Sequence, residues 1–521
     1  MNVSLLLTAL LCALSVELSW GDPDKIKIDP KTRLYVSRED GRVRVFHGLS
    51  LENNGSPNVL ANYTDEQMAM LKVWGLNVVR FGFHWHRAEP TPGNYDMTYV
   101  DAVADLIARL NEHDIHVILD MHQDCWSPLF CNAHGIPSAY SHGYSSEYDP
   151  KGKKAYPLPI VTPTYNNDTQ LTNCDEVNQK IFGWSSCYVT YGVGAAAQRL
   201  YDNDEGILDR FGEFWKLIVS KVKDYPNVLG YELINEPWLG DVPLNFEEFV
   251  PTNPHWNLWF PHESDKNNLE KMYTKLHEYI RSLDNDSIIF FEPATGGNFL
   301  DAWPVGFTEG PGGPEYNDRQ VLAYHVYCLF VDSKQPHTFL NYIVSLLSKD
   351  GCDLLTDSMY DVRDSDTKKL GLGGFMTEFG DTGQGVTPDL IHHATNKMDE
   401  FMHGWTFWYL TPDPKVNNST VISLLARPFP HKIAGTPSKY SFDPDKKVFQ
   451  LTYMPCTEEP CVSKPTEIFT AKNYAFSYGM KVDILSENTV THSLDEDTQM
   501  LYVNVIKVVP EKPVQVTLSV N

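Results

Sequence analysis

The sequence is poor in positive charge and, beyond its N-terminus, in long hydrophobic runs. It has 42 lysines and arginines against 68 aspartates and glutamates, so the formal net charge is −26. A surface of this sign repels nucleic acid, and no basic stripe offsets it, so we expect no nucleic-acid partner. No later segment reaches about 18 uninterrupted apolar residues, so no membrane-spanning helix is predicted there.

Several motifs of other chemistries are also missing. No GxGxxG follows an early strand-like run, so a dinucleotide-binding sheet is not indicated. No GxSxG elbow is present, which removes the usual signal of a Ser-His-Asp hydrolase. The cysteines form no paired CxxC clusters, and we therefore predict no metal site.

The N-terminus is the one strongly apolar stretch. Residues 1–21, MNVSLLLTALLCALSVELSWG, have the length and the small residues near the end that are typical of a signal peptide. A membrane anchor is the alternative. We expect a secreted glycoprotein, with export to the extracellular space or a digestive lumen and delivery to an acidic organelle both open. The glycosylation sequons begin at Asn54, Asn62, Asn167, Asn285, Asn417 and Asn418.

The cysteines suit a secreted chain. Of the nine, Cys12 lies in the predicted signal peptide, which leaves an even number. The eight disulfide candidates are Cys125, Cys131, Cys174, Cys187, Cys328, Cys352, Cys456 and Cys461. Eight cysteines allow about 105 connectivities, and pairing between neighbours is the simplest. The pair that we predict first is Cys456 with Cys461.

Short apolar runs alternate with helical patterns along most of the chain. The eight runs are RVRVFHG near 42–48, NVVRFGF at 77–83, HVILDMH at 116–122, VLGYELINEP at 228–237, IIFFEP at 288–293, VLAYHVY at 321–327, GGFMTEFG at 373–380 and GWTFWYL at 404–410. Continuous apolar strands between amphipathic helices indicate a parallel sheet covered by helices, and eight such units predict a (β/α)8 TIM barrel. A doubly wound open sheet is the alternative.

Two regions depart from the barrel pattern. Residues 125–205 form a long insertion after the third strand, which we expect to build part of a cleft wall. From about residue 436 the chain changes to short strands with turn signals, typical of a small β-sandwich. The predicted domains are therefore a catalytic barrel at 22–435 and a C-terminal β-sandwich at 436–521.

Many of the predicted strands end in polar side chains. These are Arg80, His122, Asn235, Glu236, Glu292, His325, Tyr327, Glu378 and Trp408. Each alone has a purely structural explanation, such as a buried ion pair or, for Glu292, a carboxylate that binds a backbone amide. Catalytic residues of (β/α)8 barrels come from the C-terminal ends of several strands, so their joint occurrence favours an active site.

Two glutamates at strand ends fit glycoside hydrolysis. Glu236 ends the fourth strand and Glu378 the seventh, which places both at the same barrel face. The reaction needs one carboxyl group that stays protonated, to donate to the leaving oxygen, and one ionised carboxylate, to attack the anomeric carbon. This chemistry requires only carboxyls, oriented hydrogen bonds and water, so no cofactor is predicted.

The ordered set of motifs resembles glycoside hydrolase family 5, of the retaining clan. NEP follows the fourth strand, HxY lies at 325–327, TEFG ends the seventh strand, and Trp408 lies on the eighth. The resemblance covers about residues 40–430. It implies that Glu236 is the general acid/base and Glu378 the nucleophile. The substrate-binding residues that it implies are Arg80, His122, Asp124, Asn235, His325, Tyr327 and Trp408.

The same resemblance implies individual roles. Asn235 would bind the 2-hydroxyl of the sugar at the cleavage point. Tyr327 would position the nucleophile and Arg80 would keep it ionised. The family also places a polar residue after the first strand, and here HGLSLENNG offers Glu52, Asn53 or Asn54. The choice among these three stays open.

A narrower resemblance is to the endoglycoceramidases. It rests on DMHQD at 120–124, RFGFHWHRAEPTPGNYD at 80–96, and RPFPHKIAGTP at 427–437 before the predicted sandwich. These enzymes cut between the intact oligosaccharide and the ceramide of glycosphingolipids. His122 and Asp124 would then contact the first glucose. Relatives that act on glucosylceramide, galactosylceramide or steryl glucosides share these motifs, so they remain alternatives, as do an endoglucanase and an inactive glycan-binding barrel.

One loop bears on a lipid substrate. The segment after the fourth strand carries the aromatics Phe246, Phe249, Trp256, Trp259 and Phe260. It would line an apolar channel or touch a membrane surface, and packing onto the barrel is the equal alternative. Because the acidic chain disfavours anionic membranes, a lipid-presenting activator is a hypothesis. For the C-terminal domain we favour a packing role over carbohydrate binding.

Overall fold

The computed structural model describes residues 24–51, 60, 62–130, 134–141, 188, 191–240, 261–295, 303–327, 349–380, 388–410 and 419–520. The predicted signal peptide, the aromatic loop at 246–260 and the three candidates Glu52, Asn53 and Asn54 lie outside these residues. So does most of the insertion predicted at 125–205, apart from its ends.

Three short strands precede the barrel and form antiparallel pairs in order. They are β1 (Ile26–Ile28), β2 (Tyr35–Ser37) and β3 (Val43–Arg44). The run predicted near 42–48 as the first barrel strand is therefore divided. Its first half is β3, and its last two residues open the next strand.

Eight parallel strands then close into a barrel in chain order, as predicted. The barrel strands are β4 (His47–Leu51), β5 (Val78–Phe83), β6 (His116–Met121), β7 (Val228–Glu232), β8 (Ile288–Phe291), β9 (Gln320–His325), β10 (Gly373–Glu378) and β11 (Gly404–Leu410). Strands β4 to β10 are buried throughout, because side chains fill the barrel inside and helices cover it outside. The (β/α)8 fold is confirmed.

Amphipathic helices cover the barrel. They are α1 (Asp65–Val73), α2 (Trp85–Ala88), α3 (Met97–Glu112), α4 (Tyr191–Tyr201), α5 (Ile207–Val222), α6 (Pro261–Ser264), α7 (Glu270–Arg281), α8 (Lys349–Leu370), α9 (Pro388–Phe401) and α10 (Ser419–Leu425). A π-helical turn, Asp265–Leu269, joins α6 to α7. Short 3₁₀ segments occur at Ser138–Tyr140, Asp204–Gly206, Pro314–Arg319 and Cys461–Ser463. Among the described helices, none is long and apolar enough to cross a membrane.

Two antiparallel sheets follow the barrel, in agreement with the predicted sandwich. Their strands are β12 (Phe429–Ile433), β13 (Gly435–Asp443), β14 (Val448–Pro455), β15 (Thr466–Phe469), β16 (Met480–Ser486), β17 (Thr489–Asp495), β18 (Met500–Lys507) and β19 (Val514–Val520). One sheet has the order β13-β14-β19-β16. The other is β1-β2-β3-β12-β15-β18-β17, so the N-terminal strands complete it. The two sheets pack over a separate apolar cluster.

The disulfide between Cys456 and Cys461 is present, with Cα atoms 5.8 Å apart. Cys125 is also disulfide-bonded. Cys352 lies on α8, and its side chain is outside the described residues, as are Cys131, Cys174, Cys187 and Cys328.

Candidate active site

The backbone turns sharply just after β7, where the predicted acid/base lies. Glu236 has φ 40°, a left-handed conformation that side chains rarely adopt. The side-chain amide of Gln123 holds the turn by donating to the carbonyls of Asn235 and Glu236, at 2.8 and 2.7 Å. The Glu236 N–H donates to the Glu292 carboxyl, 3.2 Å from Oε1. Strand β7 is therefore followed by a turn that hydrogen bonds from Gln123 and to Glu292 fix in place, and this turn presents Glu236 at the barrel mouth.

The two predicted catalytic glutamates meet at this mouth. A carboxylate oxygen of Glu236 and one of Glu378 lie within 4.8 Å of each other, with a ring nitrogen of His325 in the same group. His325 Nδ1 is 2.9 Å from Glu236 Oε1 and 3.6 Å from Glu378 Oε2. Both glutamates are about 5% exposed, so an ionised group here depends on protein partners rather than on water.

Arg80, at the centre of β5, is the main positive charge of the site and is fully buried. Its Nη1 donates to Glu378 Oε1 at 2.5 Å, and its Nε donates to Glu232 Oε2 at 2.5 Å. Its Nη2 donates to Asn235 Oδ1 at 2.7 Å and lies 3.0 Å from Asp120 Oδ2. One guanidinium on β5 thus connects the predicted nucleophile to side chains from two other strands, β6 and β7.

Burial and charge act against each other at this centre. Burial disfavours the charge on Arg80, but the carboxylates of Asp120, Glu232 and Glu378 outweigh it and raise the Arg80 pKa well above its usual range. Burial raises the pKa of Glu232 to about 7 in spite of Arg80. Burial, with the charge of Glu232 next, raises the pKa of Glu292 well above its usual value. The mouth therefore holds carboxyl groups that release their protons less readily than exposed carboxyl groups do.

Tyr327 and His325 complete the contacts of the two glutamates. The Tyr327 hydroxyl donates to Glu378 Oε2 at 2.8 Å. Burial, and then the negative charge of Glu378, raises the Tyr327 pKa well above its usual range, so the phenol remains a donor. Burial lowers the pKa of His325 to about 4, so its imidazole is neutral near pH 7.

A charged and aromatic wall stands beside this centre. His122 Nδ1 is 2.6 Å from Asp120 Oδ2, and its Nε2 is 3.4 Å from Asp124 Oδ2. Burial opposes the charge of His122, but the two aspartates raise its pKa well above 6.5, so the ring is an imidazolium. Trp408 stacks on this ring at 5.3 Å between centroids and 8° between planes. Asp124 is the exposed member, with its side chain 31% accessible, so it faces the cleft.

All nine site residues predicted from the sequence are therefore brought together around the two glutamates. Arg80, however, lies within β5 rather than at its end, where the sequence analysis places it, and it reaches Glu378 and Asn235 through its long side chain. Their roles stay predictions, since position alone does not test them. The sequence reasoning missed Asp120, Gln123 and Glu232. A carboxylate inside the otherwise apolar run VLGYELI is the signal that marks Glu232. The structural explanation offered for Glu292 is that its carboxylate binds a backbone amide. The structure shows this contact, because Glu292 accepts the Glu236 N–H.

Two groups at the mouth have the donor types of a metal site. Glu232, Glu292 and His325 form one, and Glu236, His325 and Glu378 form the other. Arg80 lies 3.9 Å from Glu292 and pairs with Glu232 and Glu378, so each group already contains at least one carboxylate paired with a protein cation. We therefore assign no metal to either group.

Comparison with known proteins agrees with this geometry. The family model for cellulase, glycosyl hydrolase family 5, matches residues 46–414. The chain belongs to glycoside hydrolase family 5. A second model, the C-terminal domain of this family, matches residues 427–520, which is the region of the two antiparallel sheets. The protein is thus a family 5 glycoside hydrolase with a (β/α)8 barrel followed by a C-terminal β domain.

Among its relatives are endoglycoceramidases. The endoglycoceramidase of Hydra vulgaris is 30% identical over 516 residues, covering 95% of this chain and 89% of that protein. That of Cyanea nozakii is 28% identical over 495 residues, covering 89% and 88%. The solved structure of endo-glycoceramidase II from Rhodococcus sp., as its lactosyl-enzyme intermediate, superimposes with a TM-score of 0.67 at 22% identity. It covers 93% of this chain and 98% of that one, which shows the shared fold.

Proposed function

We propose that the protein is a retaining endo-β-glycosidase that hydrolyses the bond between the intact oligosaccharide and the ceramide of glycosphingolipids. The observation that carries the proposal is the pair Glu236 and Glu378, with carboxylate oxygens within 4.8 Å of each other. The substrate class rests on the two endoglycoceramidases to which the chain is similar over most of its length. A Rhodococcus endo-glycoceramidase II of the same fold is described in complex with the ganglioside GM3.

The carboxylate spacing favours retention of configuration. Retaining glycosidases hold their two carboxyl groups about 5–5.5 Å apart, whereas inverting enzymes leave about 6.5–9.5 Å for a water molecule. With oxygens of Glu236 and Glu378 within 4.8 Å, the space between them fits a sugar carbon rather than a sugar and an attacking water. The nucleophile and the acid then act directly on the same glycosidic bond.

The first step forms a covalent intermediate. A Glu378 carboxylate oxygen attacks the anomeric carbon while the bond to the aglycone oxygen breaks, and Glu236 transfers its proton to that oxygen. Arg80 and Tyr327 each donate to one oxygen of Glu378, and these two hydrogen bonds orient the carboxylate for attack. The leaving group is the primary hydroxyl of ceramide, which is too poor a leaving group to depart without that proton.

The second step hydrolyses the covalent intermediate and regenerates the free enzyme. Glu236, now a carboxylate, takes a proton from water, whose oxygen attacks the anomeric carbon and displaces Glu378. His325 remains 2.9 Å from Glu236 Oε1 and orients this group in both steps. The oligosaccharide leaves with its original anomeric configuration, because it has been inverted twice.

The sugar at the cleavage point meets the wall beside the glutamates. Asp124 and the imidazolium of His122 offer an acceptor and a donor, and Trp408 offers an aromatic face. Asn235 is held between Arg80 and the carbonyl of Gln123, so its position for the 2-hydroxyl is rigid.

Two alternatives within the family have less support. Glucosylceramidases of Rhizopus delemar and Aspergillus fumigatus match only 37% and 36% of this chain. An endoglucanase would need the same two glutamates but no ceramide. An inactive glycan-binding barrel is disfavoured, since both glutamates and their hydrogen-bond partners are present.

Product analysis on a ceramide-linked oligosaccharide tests the proposal. We expect intact oligosaccharide and free ceramide in equal amounts, with the β-anomer first in the proton NMR spectrum. Release of single sugars from the outer end would contradict an endo cut. Hydrolysis of soluble glucan without ceramide release would assign the site to a polysaccharide.

The two glutamates can be told apart with azide. Glu378→Ala should lower turnover by several orders of magnitude, and azide should restore part of it while producing an α-glycosyl azide. Glu236→Ala, assayed with a good leaving group, should instead yield a β-glycosyl azide. The same anomer from both variants, or a wild-type rate for Glu378→Ala without azide, would contradict the assignment.

We also propose entry into the secretory route. Its support is the apolar segment 1–21 together with the sequons at Asn62 and Asn285, which are exposed on the folded protein. Expression in eukaryotic cells should give a medium-borne protein whose mass falls on treatment with an N-glycan-removing enzyme. Retention inside the cell without glycans would exclude this route.

The need for lipid presentation is a further part of the proposal. A chain of net charge −26 is repelled by anionic bilayers, so we expect slow hydrolysis of glycolipid in anionic vesicles and acceleration by detergent or an activator. Equal rates with and without detergent would make a helper unnecessary.

A further inference from the structure

Glu292 is a buried carboxyl that the two reaction steps do not use. It follows β8, at the C-terminal end of the barrel, and is 2% exposed. Both its oxygens lie near the Glu236 N–H, at 3.2 and 3.3 Å, and its Oε2 is 3.6 Å from His325 Nε2. It therefore contacts the acid/base twice, once through the backbone and once through the imidazole that bonds the Glu236 carboxyl.

The backbone contact holds an unusual conformation. Glu236 has φ 40°, a strained conformation for a non-glycine residue, which persists only where the surrounding contacts hold it. The Glu292 carboxyl accepts the Glu236 N–H, and Gln123 donates to the Glu236 carbonyl from the other side. On the far side of Glu292, the Tyr273 hydroxyl of α7 donates to its backbone carbonyl at 2.8 Å, which anchors the group.

The charges around Glu292 favour a proton on it. Facing it are Arg80 from β5 and Asp120 from β6, with Glu232 at the end of β7, Glu236 beyond it, and His325 on β9. Carboxyl groups outnumber the one arginine, and water is excluded. Burial first, and the charge of Glu232 next, raises the pKa of Glu292 well above its usual value.

The protonation of Glu292 determines which nitrogen of His325 carries hydrogen. A neutral imidazole has one N–H, and burial lowers the His325 pKa to about 4, so the ring is neutral near pH 7. His325 Nε2 is buried without a hydrogen-bond partner among the described residues, and Glu292 Oε2 lies 3.6 Å from it, slightly beyond hydrogen-bond distance. A proton on Glu292 would let the two atoms close to a hydrogen bond, which directs the ring hydrogen to Nδ1, 2.9 Å from Glu236 Oε1. An ionised Glu292 would attract the hydrogen to Nε2 and leave Nδ1 as an acceptor that competes for the Glu236 proton.

We propose that Glu292 is a positioning residue for the acid/base: its protonated carboxyl fixes the His325 tautomer that donates to Glu236 Oε1, leaving Glu236 Oε2 to hold the proton for the leaving oxygen. This role rests on the proposed function of Glu236. It makes the alkaline side of the pH profile a property of Glu292 as well as of Glu236. The proton moves only among groups already in place, so no further reactant is required.

Two variants of Glu292 separate a protonated carboxyl from an ionised one. The amide of Glu292→Gln can donate to His325 Nε2 and accept from the Glu236 N–H, whereas Glu292→Ala can do neither. With an alkyl β-glycoside we expect Glu292→Ala to lower kcat/KM by about 100-fold. Glu292→Gln should recover most of that loss and move the alkaline limb of the kcat/KM profile to higher pH. A glutamine variant as slow as the alanine variant, or an unmoved alkaline limb, would overturn the proposal.

The leaving group separates positioning from general damage. A dinitrophenyl glycoside departs without a proton, so the loss in kcat/KM for Glu292→Ala should shrink to less than about tenfold on it. Equal losses on the alkyl and dinitrophenyl substrates would overturn the role, and the thermal unfolding midpoint shows whether such losses come from unfolding. Glu236→Ala on the same pair is the reference. If Glu236→Ala lowered kcat/KM by the same factor on both substrates, the assignment of Glu236 as the acid/base would fail. The role of Glu292 would then fail with it.

Discussion

Two buried networks of charge in this molecule are built on opposite principles. One is the mouth network, formed by Arg80, Asp120, Glu232, Glu292 and Glu378. The other is the seam network, where the N-terminal strands join the C-terminal sheet, formed by Asp24, Asp40, Arg42, Arg44, Lys432 and Glu467. The seam network has as many cations as carboxylates. The mouth network has four carboxyl groups around one guanidinium.

The pKa values show what the difference means. In the seam, burial works against ionisation of Glu467, but hydrogen bonding by His431 and the charges of Lys432 and Arg42 lower its pKa to about 2. In the mouth, the effect of burial on the pKa of Glu232 exceeds the opposing effect of the Arg80 charge, and this pKa is raised to about 7. Balanced charges make the seam a structural joint. An excess of carboxyl groups raises pKa values in the mouth, and perturbed pKa values of this kind are typical of sites that carry out acid/base chemistry.

Removing one arginine from each network should sharpen this comparison most. Arg80→Met removes the hydrogen bond and the positive charge that stabilise and orient the Glu378 carboxylate, so we expect kcat to fall by several orders of magnitude. Arg42→Met leaves Glu467 short of a partner and should cost about 3–5 kcal/mol of folding free energy. The turnover of its folded fraction should stay at the wild-type value.

Denaturant unfolding and steady-state kinetics on both variants check this. A large loss of kcat in folded Arg42→Met would mean that the seam supports the site. Full activity in Arg80→Met would remove the arginine from the account of the nucleophile.

The pH dependence of stability should have opposite signs in the two networks. The folded pKa of Glu467 is depressed, so its stabilisation is present above pH about 4.5 and is lost as pH falls through about 2. The folded pKa of Glu232 is raised, so its stabilisation is full below about 4.5 and is lost as pH rises through about 7. Each effect amounts to up to about 3 kcal/mol.

Single amide substitutions test these signs. Glu467→Gln should flatten the dependence of unfolding free energy on pH on the acid side, and Glu232→Gln should flatten it between about 4.5 and 7. The two variants are controls for each other, because each should leave the other limb as in the wild type. Flattening on the same side of the curve would refute the contrast.

The comparison also shows how far sequence reasoning reaches. The C-terminal ends of parallel barrel strands converge, so the polar residues at those ends can be grouped from the amino-acid sequence alone. Glu236 and Glu378 lie together for that reason. Which of the surrounding carboxyls keep protons could not be predicted, because that depends on burial and on distances of a few ångströms around Arg80.

The seam escaped prediction for a different reason. Strands β1 to β3 are two or three residues long, and one of them pairs with β12, almost 400 positions further along the chain. Neither the apolar pattern nor the turn residues near Arg44 indicate which distant strand will pair with β3. The apolar pattern at 42–48 predicts a barrel strand alone, although the first half of this run belongs to the seam.

The smallest expected effect concerns the disulfide beside the seam. Cys456 and Cys461 close a loop with a sequence separation of 5, and Cys461 lies against Gly41, in the turn between β2 and β3. So short a loop loses little entropy on closure, and Cys456→Ser with Cys461→Ser should cost about 2 kcal/mol or less. Because no residue of this loop takes part in the contacts described at the barrel mouth, kcat should not change. A loss larger than that of Arg42→Met would show that the covalent link, rather than the balanced charges, holds the N-terminal strands on the C-terminal sheet.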